Sequence, residues 1–567
     1  NEESATDVVS ELDLLLTGGR LHYNNREILE NAFEKAVNDS PDANGNERAL
    51  RLVQGLIALT PEFHISNNLN DHLTEPQPRI SEDFAQVTEE NSPVTGYKAI
   101  VYLFLEGGVD SFSMLVPVDN CATSNLPEQY TELRGDVAIP FTQLLNFTDS
   151  KGDQDCTKFG THHSLAFVHQ LYENKDLAWI ANMGNLVEPI TKAEFQGKTK
   201  EFPPALFAHN HQQVLTQIVH AQNAAANGVL GRIGDIINSQ ANDEIVDAYS
   251  LNGHAKILKG TPGVSRQADI LSMTGYAGLS STAIEMEEDI RALHSRTATS
   301  MFGETFSAAV EFSFDRMDTI SDTLGEITLS NGECSHFYRD DLGREFPVAL
   351  EFEQIAKIIK ARDRLQAKRD IFFSNMGGFD THSDNGDTLT ELLKQVNIAI
   401  SCFTNELKEQ EIWNNVTVIM GSEFGRTFTS NGAGTDHAWG GNYFIMGGGV
   451  AGGQIHGRYP DDVSEAGEFN IGRGRIIPTT GWEELWYGVA EWFGVEAENI
   501  AEALPNLDKF SSPLSEDMLY KEILPTPSPT TDAPTSAPTG APTAAPTAAP
   551  TAAPTAAPTA APTAAPT

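Results

Sequence analysis

The chain has no run of about 18 consecutive apolar residues, so the sequence offers no transmembrane helix. Basic residues are scarce: 37 Lys and Arg stand against 79 Asp and Glu, for a formal charge of −42 over 567 residues. That balance argues against a nucleic-acid partner, since no cationic surplus exists to meet phosphates. It suits an extracellular or salt-exposed protein, or one that attracts cations. Cysteine is also rare. None of the four forms a CxxC pair, which argues against a thiolate zinc site. No initiator Met and no signal peptide are visible, so the chain from Asn1 is read as processed, with its targeting segment gone.

The four cysteines are Cys121, Cys156, Cys334 and Cys402. Cys121 and Cys156 flank a polar segment and are expected to close a loop as a disulfide. Cys402 lies in a helical run, either paired with Cys334 or a buried thiol. Asn38, Asn146 and Asn415 head sequons and are expected to carry N-glycans, in keeping with secretion to the medium or cell surface.

So long a chain exceeds one ordinary core. Residues 1–75 show apolar residues at helical spacing, broken at Gly18-Gly19, and read as a small helical unit. Residues 76–97 read as a polar linker. From 98 to 523 apolar runs (AIVYLFLEGG, LAWIANMG, DIFFSNMGG, NVTVIMGSE, NYFIMGGG) alternate with helical stretches. This predicts an α/β fold with a doubly wound, mostly parallel sheet covered on both faces. The stretch from about Ala283 to Ile320 reads as a helical insertion or cap. Residues 524–567 settle into PTAA repeats, which predict an extended polyproline-II stalk with the Thr-Pro density of an O-glycosylated one.

In a parallel sheet, ligands bind where the strands end at their carboxyl side. Three strand ends and one loop here carry acids or imidazoles, mostly beside glycine: Glu106-Gly-Gly-Val-Asp110, Gly-Gly-Phe-Asp380-Thr-His382, Gly-Ser422-Glu423-Phe-Gly-Arg426 and Gly-Thr-Asp436-His437. Singly, each has a plain use: a turn or cap acid for Asp110 and Asp380, an Arg426 partner for Glu423, a loop histidine for His437. Together they form a candidate divalent-metal site (zinc, manganese, magnesium or calcium), because clustered acids repel without a cation. Arg426 is expected to grip an anionic oxygen.

The segments FLEGGVDSFSMLVPVD, NMGGFDTHSDN, GSEFGRT, NGAGTDHAWGGNYFIMGGGV and GRIIPTTGWEELWYGVAEWFGV resemble an uncharacterised sulfatase-like family. It is known as a domain of unknown function, number fifteen-oh-one, in the alkaline phosphatase clan. ANGVLGRIGD and LFAHNHQQ resemble two further blocks. The resemblance implies an alkaline phosphatase/sulfatase type of fold and hydrolysis or transfer of phosphate or sulfate esters at a bimetal site. By position, Asp380, His382 and His437 resemble metal ligands, with Asp436 adjacent. Ser422-Glu423 stands where the clan places an Asp-His pair, and Glu106 or Asp110 where it places its first-strand acid. Ser111 and Ser164 are the candidate nucleophiles, and His163 and His209 candidate cleft residues. The first 75 residues resemble, over a short span, the end of a companion family, which implies release from a longer precursor. The PTAA tail resembles those of diatom cell-surface proteins.

Two functions are therefore expected from the sequence. One is a secreted, metal-dependent hydrolase acting on anionic carbohydrate or other phosphate or sulfate esters of extracellular polymers. The alternative is a catalytically degenerate structural glycoprotein that self-assembles into a filament, sheath or adhesive layer.

Overall fold

Seven of the eight side chains in KAIVYLFL are buried, so this strand must be covered on both faces. It is β1 (Lys98–Leu105) of a computed structural model that describes residues 4–39, 45–64, 94–240, 245–261, 269–272, 275–276, 281–295, 301–330 and 346–522. The other strands are β2 (Leu115–Cys121), β3 (Leu145–Thr148), β4 (Cys156–Thr161), β5 (Leu177–Gly184), β6 (Val246–Ser250), β7 (Asp269–Ser272), β8 (Gly275–Tyr276), β9 (Arg369–Met376), β10 (Val416–Gly421), β11 (Gly441–Met446), β12 (Ile455–Gly457) and β13 (Thr480–Gly481).

The main sheet runs β12-β5-β11-β10-β1-β9-β6-β7-β8, with β13 also on β5. Its centre is parallel: β1 lies between β9 and β10, and β6 follows β9. The mostly parallel α/β expectation is met, with β11 antiparallel to both its neighbours. Direction was not legible there, because a strand buried on both faces shows the same unbroken apolar run either way. A second, antiparallel sheet, β2-β4-β3, was not foreseen. The expected Cys121–Cys156 disulfide ties its first two strands. Cys402 is also disulfide-bonded. Cys334, the linker to residue 93 and the tail from 523 lie outside the described residues.

Register decides where the site can form. Leu105 pairs with Met376 and Phe104 with Gly421, so Glu106 and Gly377 leave the sheet at one level, with Ser422 within one residue of it.

The N-terminal helices α1 (Ala5–Thr17), α2 (Tyr23–Asp39) and α3 (Gly45–Ala58) do not make a core by themselves. Val9, Leu29, Val53 and Leu56 share one with Met286, Ile290, Leu293 and Phe314 of the expected insertion. That insertion is two helices, Ser281–His294 and Met301–Glu326. Ile320 and Leu324 at the far end of the second belong to the main core, so this helix joins the two clusters.

Asp110, one of the two candidate first-strand acids, is fully buried in an ion pair with the equally buried Arg134. Its Oδ2 also accepts from Ser113 Oγ (3.0 Å) and Asn385 Nδ2 (2.8 Å). This use is structural and sets Asp110 apart from the metal-ligand role expected of it. Replacing Arg134 with Met strands that carboxylate without a counter-charge. Equilibrium denaturation should show a loss of about 3–5 kcal/mol.

Candidate metal centre

Two close backbone approaches bring the strand-end loops together. A Cβ on Gly107 (φ +121°) would lie 2.4 Å from the Asp380 nitrogen, and one on Gly434 would lie 2.5 Å from the His382 carbonyl carbon. Only glycine allows such approaches. They carry the β1 loop, the β9 loop and the loop before β11 into one place.

Asp380 stands at the centre. Its Oδ1 is 3.1 Å from His382 Nε2, 3.1 Å from His437 Nε2 and 3.6 Å from His209 Nε2. His437 Nε2 is 2.8 Å from His382 Nε2 and 3.0 Å from His209 Nε2. In each ring the other nitrogen faces an oxygen acceptor. His437 Nδ1 meets the Phe207 carbonyl at 2.8 Å, His209 Nδ1 meets Glu423 Oε1 at 2.8 Å, and His382 Nδ1 meets Asp436 Oδ1 at 3.3 Å. An Nδ1–H that donates outward leaves the Nε2 lone pair facing inward. Three such lone pairs and a carboxylate oxygen therefore converge.

These residues fit a divalent cation. Four ligands at about 2.0–2.1 Å around one ion lie about 3.3 Å from each other; the ligand atoms of His209, Asp380 and His437 all lie within 4.8 Å of one another, and His382 Nε2 joins them at 2.8 Å from His437 and 3.1 Å from Asp380. Imidazoles oriented through Nδ1 by carboxylates and a carbonyl are the outer support that metal-ligating histidines ordinarily have. His209 is the residue that sequence reasoning left out of the ligand set, having placed it only in the cleft. It opens the helix His209–Ile218, and no strand-end pattern marks it. The HNHQQ run was the available signal, with Gln213 one turn on donating to Glu106 Oε1 at 2.9 Å.

The remaining candidates take other places. Glu423 is buried behind His209 and accepts from the Gly107 N–H at 2.9 Å, so it supports a ligand. Asp436 likewise supports His382. Glu106 stands beside the cluster, held by Gln213 and by Asn375 Nδ2 at 3.3 Å. Asp380 is not a helix cap: the N-cap of the helix Asn385–Glu409 is Asp384. Arg426 does not lie open to an anion, contrary to its expected role. It is fully buried and donates to the Gly107 carbonyl (3.0 Å), the Thr435 carbonyl (3.0 Å) and Asp380 Oδ1 (2.9 Å). It orients the central carboxylate.

Neither candidate nucleophile reaches the cluster. Ser111 is buried, with Oγ accepting from the Asn442 N–H at 2.8 Å. Ser164 donates its N–H to His162 Nδ1 at 3.1 Å, and His163 stacks on His162. Among the described residues, no Ser, Thr or Cys side chain bonds to Asp380, His209, His382 or His437.

The electrostatics favour ligation at Asp380 and His437. Burial pulls the Asp380 carboxyl up, but the hydrogen bond and charge of Arg426, with His437 and His382, outweigh it and hold it below the usual carboxylate value. Burial presses His437 below the ordinary histidine value, which keeps it neutral. The hydrogen bond to Glu423 raises His209 above that value against the effect of burial. The Asn431 hydrogen bond, then His382 and Arg473, hold Asp436 low.

A profile of the family described as a protein of unknown function, DUF1501, matches residues 97–471. The chain belongs to this family. No curated protein matches it in sequence. It is similar to the crystal structure of Ps i-CgsB, at 9% identity and a TM-score of 0.31, over 74% of this chain and 78% of that one. It is also similar to the lipoteichoic acid synthase LtaP from Listeria monocytogenes, at 8% identity and 0.25, over 67% and 76%. A third is the PsFucS1 sulfatase from Pseudoalteromonas sp., at 10% identity and 0.26, over 64% and 65%. Likenesses this weak leave the function of this family member to its own site.

Glu423→Gln removes the charge that orients His209 without emptying its place. Zinc affinity, measured by competition with a chromophoric chelator, should fall roughly 10–100-fold. The sign of the pH effect follows from the imidazoles. Because the pKa of His209 is raised, protonation of its ring competes with the cation as pH drops through the histidine range, so affinity should fall there. Titration of zinc across that range, with proton release followed by calorimetry in buffers of different ionisation enthalpy, checks this.

Proposed function

We propose that the protein is a metal-dependent hydrolase of phosphate or sulfate esters, secreted or held at the cell surface and acting on anionic extracellular carbohydrate. The observation that carries this reading is the gathering of the Nε2 atoms of His209, His382 and His437 within 3.1–3.6 Å of Asp380 Oδ1. A set of three imidazoles and one carboxylate suits zinc better than calcium or magnesium, which take oxygen. His209, His382, His437 and Asp380 would hold the ion. When bound, it supplies Lewis acidity that polarises an ester oxygen and acidifies water.

The chain's own groups shape the rest. Arg426 fixes Asp380 from behind. Glu423 holds the Nδ1 proton of His209, and Asp436 that of His382, so each ring offers one defined face. With no hydroxyl or thiol at the cluster among the described residues, water rather than a protein nucleophile is the attacking group in this reading. His382 and His437 point their second nitrogens into the cluster and serve as ligands. Glu106, half-buried, is linked to Glu423 through Gln213 Nε2, which reaches the two carboxylates at 2.9 and 3.4 Å, and in this reading it takes a proton from water.

A second reading, a structural subunit of an extracellular layer, draws on one observation. Leu14 and Leu15 of α1 are 68% and 70% exposed, beside a groove of about 840 Å³ between the N-terminal helices. Asn38, a candidate glycan site, lines that groove. Asn146 is exposed, and Asn415 is half-buried with its amide on the Tyr97 carbonyl.

The test is metal content by plasma mass spectrometry, followed by turnover of aryl phosphate and aryl sulfate. Wild type should carry about one equivalent of zinc and cleave one of the two esters. Asp380→Ala with His382→Ala should lose the metal, and His437→Ala should lose at least about 100-fold in rate, the scale of removing one strongly placed catalytic group. Stoichiometric metal in the double variant would sink the proposal.

A further inference from the structure

The stretch Gly472-Arg473-Gly474-Arg475 lies just past the matched family region. Gly472, Arg473 and Gly474 take φ of +110°, +61° and +72° in succession. The left-handed conformation is uncommon for Arg473, and something must hold it. Its N–H donates to Glu465 Oε1 at 2.7 Å, and a Cβ on Gly474 would meet the Thr429 nitrogen at 2.3 Å.

This turn brings two guanidinium groups to the cluster. Arg473 Nη2 pairs with Asp436 Oδ2, on the acid whose other oxygen meets His382. Arg475 Nε donates to the His437 carbonyl at 3.2 Å. Its guanidinium carbon lies 4.6 Å from the centre of the Phe207 ring, the residue whose carbonyl orients His437.

Comparison with the other arginines shows what is unusual. Arg458 pairs with Asp461 and Glu468. Arg232 donates to the carbonyls of Ala503, Asn227 and Val219, and Arg369 to those of Phe493, Gly96 and Lys368. Arg475 has neither arrangement. Among the described residues, its Nη1 and Nη2 meet no carboxylate and no hydrogen-bond acceptor, although acids outnumber bases 79 to 37 in this chain. Burial, then the Arg473 charge, disfavour its cation and outweigh the opposing charge of Asp436.

Local charge points the same way. Four carboxylates (Glu106, Asp380, Glu423, Asp436) face three guanidiniums (Arg426, Arg473, Arg475). A bound divalent cation turns that deficit into a surplus of one positive charge, with two N–H edges of Arg475 uncommitted.

We infer that Arg475, seconded by Arg473, is the anion clamp of this site, binding a tetrahedral oxyanion, phosphate or sulfate, carried by the substrate. The inference rests on the proposed hydrolase reading and gives its substrate a recognition element. A planar guanidinium fork matches two oxygens of such a group, and ring stacking holds the fork in place. Lysine would keep the charge and lose the fork.

The experiment uses the full chain loaded with zinc: wild type, Arg475→Gln, Arg475→Lys and Arg473→Gln. Zinc content is measured for each. Binding of inorganic phosphate and, separately, inorganic sulfate is then measured by calorimetry, so the two arms tell the anions apart. Wild type should bind one of them. Arg475→Gln should keep its zinc and lose about 10–100-fold in anion affinity, the usual worth of a charged hydrogen bond. Arg475→Lys should fall between. Zinc-loaded Arg475→Gln with wild-type affinity overturns the clamp and leaves the metal reading standing. Loss of zinc in Arg475→Gln also overturns it, marking the residue as a prop for His437 alone. Wild type that holds zinc and binds neither anion overturns the clamp and the ester class together, and wild type that takes up no zinc overturns the hydrolase reading itself.

Discussion

Unprotonated imidazole nitrogens repel each other at contact distance unless a positive charge lies between them. His437 Nε2 has two such neighbours, at 2.8 and 3.0 Å, and each of the three rings has an oxygen acceptor waiting at its Nδ1. Everything around the cluster works to keep this arrangement in place. The fully buried Arg426 ties the β1 turn, the Thr435 loop and Asp380 into one unit. Glu423, the Phe207 carbonyl and Asp436 each hold one ring. Together these contacts hold the three rings around Asp380.

The sheet makes such an assembly possible. Adjacent parallel strands in β9, β1 and β10 end within one residue of the same level, so their following residues emerge side by side. Glycines then let the loops fold over one another at backbone contact. A rigid base with short, crossed loops above it positions side chains to within the tolerance that ligation demands. The buried Asp110–Arg134 pair lies under this layer and fixes the first turn after β1, which is why that acid serves the fold and leaves ligation to Asp380.

Much of this was legible before any coordinates. The apolar runs announced β1, β5, β9, β10 and β11, and the rule of strand ends pointed to Asp380, His382, Glu423 and His437. What was hidden had physical reasons. His209 sits at a helix start, where a histidine has no periodic signature. Arg426 looked like an anion grip because sequence shows charge and not burial. Glu423 looked like a ligand because a carboxylate one bond behind the cluster has the same letter as one inside it. The antiparallel β2-β4-β3 sheet comes from short, half-polar strands that carry little alternation.

The helix Met301–Glu326 has a consequence for the integrity of the chain. Phe314 belongs to the N-terminal cluster and Ile320 to the main one, so the first 64 residues are clasped by a segment that lies far downstream. A protease that cut anywhere between residues 64 and 94 would sever the covalent path without freeing the amino-terminal piece. The product would migrate as two fragments under denaturing conditions and as one particle in native buffer.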